Sequence, residues 1–192
     1  MPYPVIFVLS LIVSTTALAA APNGSQIISV AMPGGGKSIP IAFPAGSPVK
    51  FDKMEDYGLA HFSGQFSIEG EYRYGRLSND PNDEVAYDLT VLEFVPDAAY
   101  RAVLPYWSER GPVASLSFEN ETDFIAAVIG PSLIKEIKTR KRLAVTGRAA
   151  IWVDRYTAAF ECDVPTYNVH FLKVDRPPTV VASNNLINSG CL

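Results

Sequence analysis

Residues 61–74 (HFSGQFSIEGEYRY) constrain the fold of this chain more than any other segment, because their apolar and polar residues alternate strictly. A period of two places successive side chains on opposite faces of an extended chain, so the pattern predicts a long, half-buried β-strand. Gly64 and Gly70 fall within the apolar face, where glycines favour bends or bulges. We therefore expect a mainly β protein.

Shorter patterns place the other elements of a domain that we expect to span residues 57–175. Further strands are predicted at residues 85–94, 114–118, 143–153, 156–162 and 167–174. Helical segments are predicted at residues 97–103 and 120–138, with Asp97 and Asn120 as N-caps and an interruption at Gly130-Pro131. A turn is predicted at Asp154-Arg155, between the fourth and fifth strands.

The predicted order is β-β-β-α-β-β, with a glycine-kinked first strand. This order resembles the OB-fold, a five-stranded, partly open barrel. The resemblance covers about residues 60–174 and is one of architecture, since no family motif is matched. A β-sandwich with an inserted helix is the alternative fold.

The N-terminal residues have the features of an export signal. Residues 5–13 are apolar except for Ser10, and small residues follow at 17–21, which predicts a signal peptide over residues 1–20. A membrane-spanning helix needs about twenty apolar residues, twice the length of this run. We therefore expect a secreted or periplasmic protein with no membrane span after signal cleavage.

Two further segments flank the predicted domain. Residues 21–56 are rich in Gly, Pro and Ser and predict a flexible N-terminal arm, within which two apolar runs favour a hairpin. Residues 176–192 form a C-terminal tail that begins at paired prolines and shows no periodic pattern.

Composition excludes several classes of function. Hydrophobic residues make up 48% and charged residues 19% of the chain, which predicts a folded globular domain rather than a disordered one. The net charge of −4 gives no cationic surface for a phosphate backbone, so we expect no nucleic-acid partner. Two histidines and two cysteines match no metal-ligand spacing, and we expect neither a metal nor a cofactor.

The aromatic residues supply the candidate ligand-binding site. OB-folds bind ligands on aromatic platforms of their strands and loops, and the resemblance implies such a role for residues near the predicted loops. The predicted ligand-binding residues are Tyr74, Tyr106, Trp107, Arg155 and Tyr156. The alternative is that these aromatic side chains belong to the core.

No catalytic residue is predicted. His61 and His170 lie on predicted strands, and the chain contains no motif typical of an activated nucleophile. The main hypothesis is therefore a non-enzymatic binding module whose partner is an envelope protein, a peptide or a saccharide. The alternatives are a small secreted hydrolase that uses His61 or His170, and a structural or assembly factor of the cell envelope.

The two cysteines, Cys162 and Cys191, predict a disulfide. Export places both thiols in an oxidising compartment, where an even count of two leaves one intramolecular pairing. Cys191 lies in the patternless tail, which needs a covalent or packing constraint to stay ordered.

Overall fold

The computed structural model describes residues 25–31, 38–55, 58–78, 90–161 and 164–188. The first strands are β1 (Gln26–Ala31), β2 (Ser38–Phe43), β3 (Lys50–Glu55), β4 (Leu59–Ser63), β5 (Phe66–Ser78) and β6 (Thr90–Pro96). The later strands are β7 (Tyr106–Trp107), β8 (Ser117–Phe118), β9 (Ala144–Glu161), β10 (Val164–Ser183) and β11 (Ile187–Asn188). The described helices are α1 (Ala98–Arg101), α2 (Glu121–Val128) and α3 (Pro131–Lys138). The protein is mainly β, as the alternation predicts.

The strands form two sheets, and neither closes into a barrel. The smaller sheet has the order β1-β2-β7 and contains the predicted N-terminal hairpin, with Gln26 opposite Phe43. In the larger sheet β9 is central, since it pairs antiparallel with β4 and β5 along one edge and with β10 along the other. β6 and β3 lie outside β5 and β4, and β8 adds a short parallel pair to β10. A single bridge joins Phe94 of β6 to Leu116.

The long alternating strand predicted at residues 61–74 is divided into β4 and β5, which lie end to end along β9. Phe62 pairs with Tyr156 and Phe66 with Val153, so one strand advances four residues while the other advances three. Gly64 has a φ of 140°, and a Cβ there would lie 2.8 Å from the carbonyl oxygen of Pro48. The predicted bulge at this glycine is confirmed.

The turn predicted at Asp154-Arg155 is wrong. β9 continues through both residues to Glu161, because β4 and β10 pair with it on either side of this position. Arg155 has a φ of 50° and lies within a register shift between β9 and β10. Cross-strand pairing therefore turns the predicted reversal into a bulge within one continuous strand.

The segments on either side of the predicted domain also contain strands. In the predicted arm, β3 follows the hairpin and pairs with β4. In the predicted tail, β10 continues to Ser183, and a register shift between Arg176 and Thr179 accommodates the two prolines. The Oγ1 of Thr179 accepts a hydrogen bond from the backbone N–H of Arg148 at 2.9 Å. The predicted signal peptide, the loop at 79–83 and both cysteines lie outside the described residues.

The core lies between the inner face of the large sheet and the helices. Phe124 of α2 is fully buried and stacks on Phe118 at 4.3 Å between ring centroids, with three further aromatic rings at its edges. The interruption predicted at Gly130 is confirmed, since α2 ends there and α3 begins at Pro131. None of the helices in the described ranges is long and apolar enough to cross a membrane.

Candidate functional site

Four of the five residues predicted to bind ligand are buried in the core. The exposed fractions are 5% for Tyr74, 4% for Tyr106, 3% for Trp107 and 0% for Tyr156. The hydroxyl of Tyr156 donates to the carbonyl oxygen of Pro105 at 2.5 Å, and the Nε1 of Trp107 donates to the carbonyl oxygen of Ala159 at 3.0 Å. Arg155 is exposed. Packing accounts for the four rings without a ligand, and their binding role stays a prediction.

The opposite face of the large sheet presents polar and charged side chains, and we call it the polar face. It is made by outward residues of the three neighbouring strands β5, β9 and β10. Its members are Ser67, Glu69, Glu71, Arg73, Thr146, Arg148, Trp152, Asp154, His170, Lys173 and Arg176. The period of two that buries Ile68 and Tyr72 in the core aims these side chains away from it.

Arg148 is the centre of an ion-pair network on the polar face. Its Nη2 lies 2.6 Å from Oδ2 of Asp97 and 3.5 Å from Oε1 of Glu69, and its Nη1 lies 3.6 Å from Oε1 of Glu71. Arg176 adds a contact of 2.6 Å to the second carboxylate oxygen of Glu69. The hydrogen bond and charge of Asp97 raise the pKa of the Arg148 guanidinium. Exposed pairs of this kind contribute little to stability, but they fix the side chains in position.

Trp152 is a partly exposed aromatic residue among these charges. It is the Cα partner of Ser67 on one side and of Lys173 on the other, so the three form one row across the sheet. Its Nε1 donates to Oδ1 of Asp175 at 2.8 Å, and the Nζ of Lys173 lies 5.8 Å from the ring centroid. The hydrogen bond holds the indole in one orientation.

Sequence analysis did not include Trp152 in the predicted site. The signal that could have found it is its strand register. In residues 143–153, Trp152 shares parity with Thr146 and Arg148, while the intervening positions are apolar or small. This pattern places the indole on the solvent side of its strand.

A small cavity opens beside the polar face, and we call it the α1 cavity. It has a volume of about 150 Å³ and is lined by Gly46, Pro48, Phe66, Ser67, Tyr100, Val103 and Leu104. Phe66 and Leu104 are buried, whereas Gly46 and Pro48 are exposed at the rim. Ser67 belongs both to this lining and to the row of Trp152, so the cavity and the row are adjacent.

The two histidines each lie beside a carboxylate. The Nδ1 of His170 is 2.9 Å from Oδ1 of Asp154, and the Nε2 of His61 is 3.3 Å from Oε1 of Glu55. Arg155 lies 3.6 Å from Asp154 and reaches Glu119 at the same distance. In the part of the chain that the structure describes, Asp154 is the one polar side chain in contact with His170, and no group of three acidic, histidine or cysteine residues could hold a metal.

Comparison with known proteins finds no matching family model, no similar curated protein and no similar solved structure. Function is therefore argued from the polar face, the α1 cavity and the histidine contacts. A fold alone would not decide the function, because one fold hosts many unrelated activities.

Proposed function

We propose that this protein is a non-enzymatic binding module, secreted or periplasmic, that binds a peptide, protein or saccharide on the polar face. The observation that carries the proposal is the fixed, partly exposed indole of Trp152 on a face that is otherwise polar. An aromatic ring whose orientation is already set loses little conformational entropy on binding, and tryptophan is enriched at interaction sites for this reason.

The charges of the polar face support a ligand that is not a polyion. Arg148 and Arg176 alternate with Glu69, Glu71 and Asp97, so neither sign dominates. A nucleic acid needs clustered cations along its path. Mixed and prearranged charges suit a ligand with hydrogen-bonding groups of both kinds, as peptides and saccharides have.

The histidine contacts favour a binding function over hydrolysis. A nucleophilic hydrolase needs a hydroxyl or thiol within hydrogen-bond reach of its general base. Within the described ranges His170 has a carboxylate as its polar contact, and His61 lies beside Glu55 and Lys53. The signal-peptide prediction supports a location in the cell envelope, where an assembly factor would also act through a protein partner.

The test is binding of the purified mature protein to arrays of defined peptides and defined glycans. We expect ligands on one array that bind the native protein, lose binding to Trp152→Ala and keep part of it with Trp152→Phe. Asn185→Ala, a change at an exposed site off the polar face, serves as the matched control and should bind normally. No binding on either array, or equal binding by Trp152→Ala, would overturn the proposal.

A further inference from the structure

The α1 cavity has the size and lining of a pocket for one apolar side chain. An apolar cavity of about 150 Å³ can hold a benzene molecule, which is close to the size of a leucine or phenylalanine side chain. The cavity has this volume, and its walls include the side chains of Phe66, Val103 and Leu104. Burial of an apolar group there removes apolar surface from water on both partners.

The lining distinguishes a peptide from a saccharide. The side-chain hydroxyls in the lining are those of Ser67 and Tyr100, and the rest of it is apolar or backbone. A sugar ring would bury several hydroxyl groups here without partners, and each unpaired group costs about 1–3 kcal/mol. A peptide avoids this cost because its apolar side chain enters while its amide groups stay at the rim.

The position of the cavity suits an extended peptide. Ser67 is at the cavity, and Trp152 is its partner on the next strand, which lies about 4.8 Å away in a sheet. Successive residues of an extended chain advance by about 3.3 Å. A residue anchored in the cavity would therefore place its neighbours over Ser67 and the indole of Trp152.

A cation beside the cavity favours an acidic neighbour of the anchor residue. Arg101 follows Tyr100 on α1, and its buried Nε has no hydrogen-bond partner. Most other arginines of this surface, such as Arg148 and Arg176, contact carboxylates within the protein. A carboxylate on the ligand would complement the charge of Arg101.

We infer that the α1 cavity is the anchor pocket of the binding surface, and that it takes a leucine- to phenylalanine-sized side chain of a peptide flanked by acidic residues. This inference rests on the proposed binding function and names its ligand class.

The first test uses N-acetyl-leucinamide as a probe, with N-acetyl-glutaminamide as a polar probe of similar size. We expect N-acetyl-leucinamide to shift the backbone amide resonances of Phe66, Ser67, Val103 and Leu104 in a saturable way, and N-acetyl-glutaminamide to leave them unchanged. Val103→Trp fills the cavity and should weaken this binding by about tenfold or more. Ser67→Leu is a second filling variant, and Val181→Trp, at a position that is 61% exposed, is the matched control.

The second test compares the peptides Ac-Glu-Leu-Glu-NH2 and Ac-Gln-Leu-Gln-NH2. The acidic peptide should bind about threefold more tightly to the native protein, and Arg101→Gln should remove that difference. Equal shifts with the two amide probes, unchanged binding in folded Val103→Trp or Ser67→Leu protein, or preference for the uncharged peptide would overturn the inference.

The two proposals fail in different ways. Array ligands that depend on Trp152 but bind normally to the cavity-filling variants would overturn the anchor pocket and leave the binding module supported. Array ligands that are lost in both Trp152→Ala and the cavity-filling variants, and that are acidic peptides, would support both. Glycan ligands alone would overturn the peptide inference.

Discussion

Asn120 provides a prediction that separates two roles for one side chain. Its Oδ1 accepts the backbone N–H of Phe171 at 2.8 Å, and its Nδ2 donates to the carbonyl oxygen of the same residue at 2.9 Å. The backbone N–H of Glu119 donates to the carbonyl oxygen of Val169 at 2.9 Å. The amide of Asn120 thus extends the short pairing between β8 and β10 by one further step, although it occupies the N-cap position of α2.

Asn120→Ala should leave both backbone groups of Phe171, which is 5% exposed, without a partner. An unsatisfied buried backbone group costs about 1–3 kcal/mol, so we expect the free energy of unfolding to fall by about 2–4 kcal/mol. Loss of an N-cap alone costs about 1 kcal/mol. The observed side chain makes no capping hydrogen bond, so the larger value is expected.

Asn120→Asp distinguishes the two roles more sharply. Aspartate caps helices as well as asparagine does, so a capping role predicts no loss of stability. In the pairing role aspartate lacks the donor for the Phe171 carbonyl and places a second carboxylate beside Asp123, which the Nδ2 of Asn120 contacts at 3.0 Å. We therefore expect Asn120→Asp to destabilise the protein about as much as Asn120→Ala.

The assay is urea unfolding followed by circular dichroism, together with hydrogen exchange of the Phe171 amide. Asn185→Ala, at an exposed position, is the control and should unfold like the native protein. Both Asn120 variants should speed exchange at Phe171. Native stability in Asn120→Asp, or unchanged protection of the Phe171 amide in Asn120→Ala, would refute the pairing role.

Three further predictions concern pH, packing and the cysteines. Burial raises the pKa of Tyr72 and Tyr167 to about 12 in the folded protein, so these phenols ionise first in the unfolded chain, near pH 10. The free energy of unfolding should therefore fall between pH 10 and 12, by about 3 kcal/mol for each tyrosine, and Tyr72→Phe should reduce this slope in urea titrations; a flat profile would contradict the assignment. Gly147→Ala places a Cβ against the backbone of β10 and should cost about 2–3 kcal/mol in thermal unfolding, whereas a fully stable variant would show that β10 can shift. The disulfide between Cys162 and Cys191 predicts no alkylated thiol in the unreduced exported protein by mass spectrometry and a loss of about 3.5 kcal/mol on reduction; two alkylated thiols would contradict it.

Sequence periodicity predicted the faces of the strands but not the partners of individual side chains. Asp97 and Asn120 both occupy the N-cap positions that their residue types predict. Their side chains instead contact Arg148 and Phe171, each 51 residues away in the chain. Local propensity contains no information about such partners, because the sheet brings them together only after long-range pairing.

The same limit explains the errors in the strands and in the site. Asp154-Arg155 has the residue types of a turn, but its neighbours in β4 and β10 are fixed by pairing elsewhere in the sheet. The α1 cavity combines residues from 46–48, 66–67 and 100–104, three segments with no shared motif. By contrast, the outward position of Trp152 was available from the alternation of a single strand.

The central position of β9 has a consequence for the order in which the chain can fold during synthesis. β4 and β5 have β9 as their common partner, and pairs such as Glu69 with Ala150 join residues far apart in the chain. Contacts of such long range form late and slowly. A ribosome that has released residues 1–143 has therefore made most of the chain without the strand that organises the large sheet. An export signal over residues 1–20 would be read while the chain behind it is still unfolded, in the state in which it can be threaded through a narrow channel.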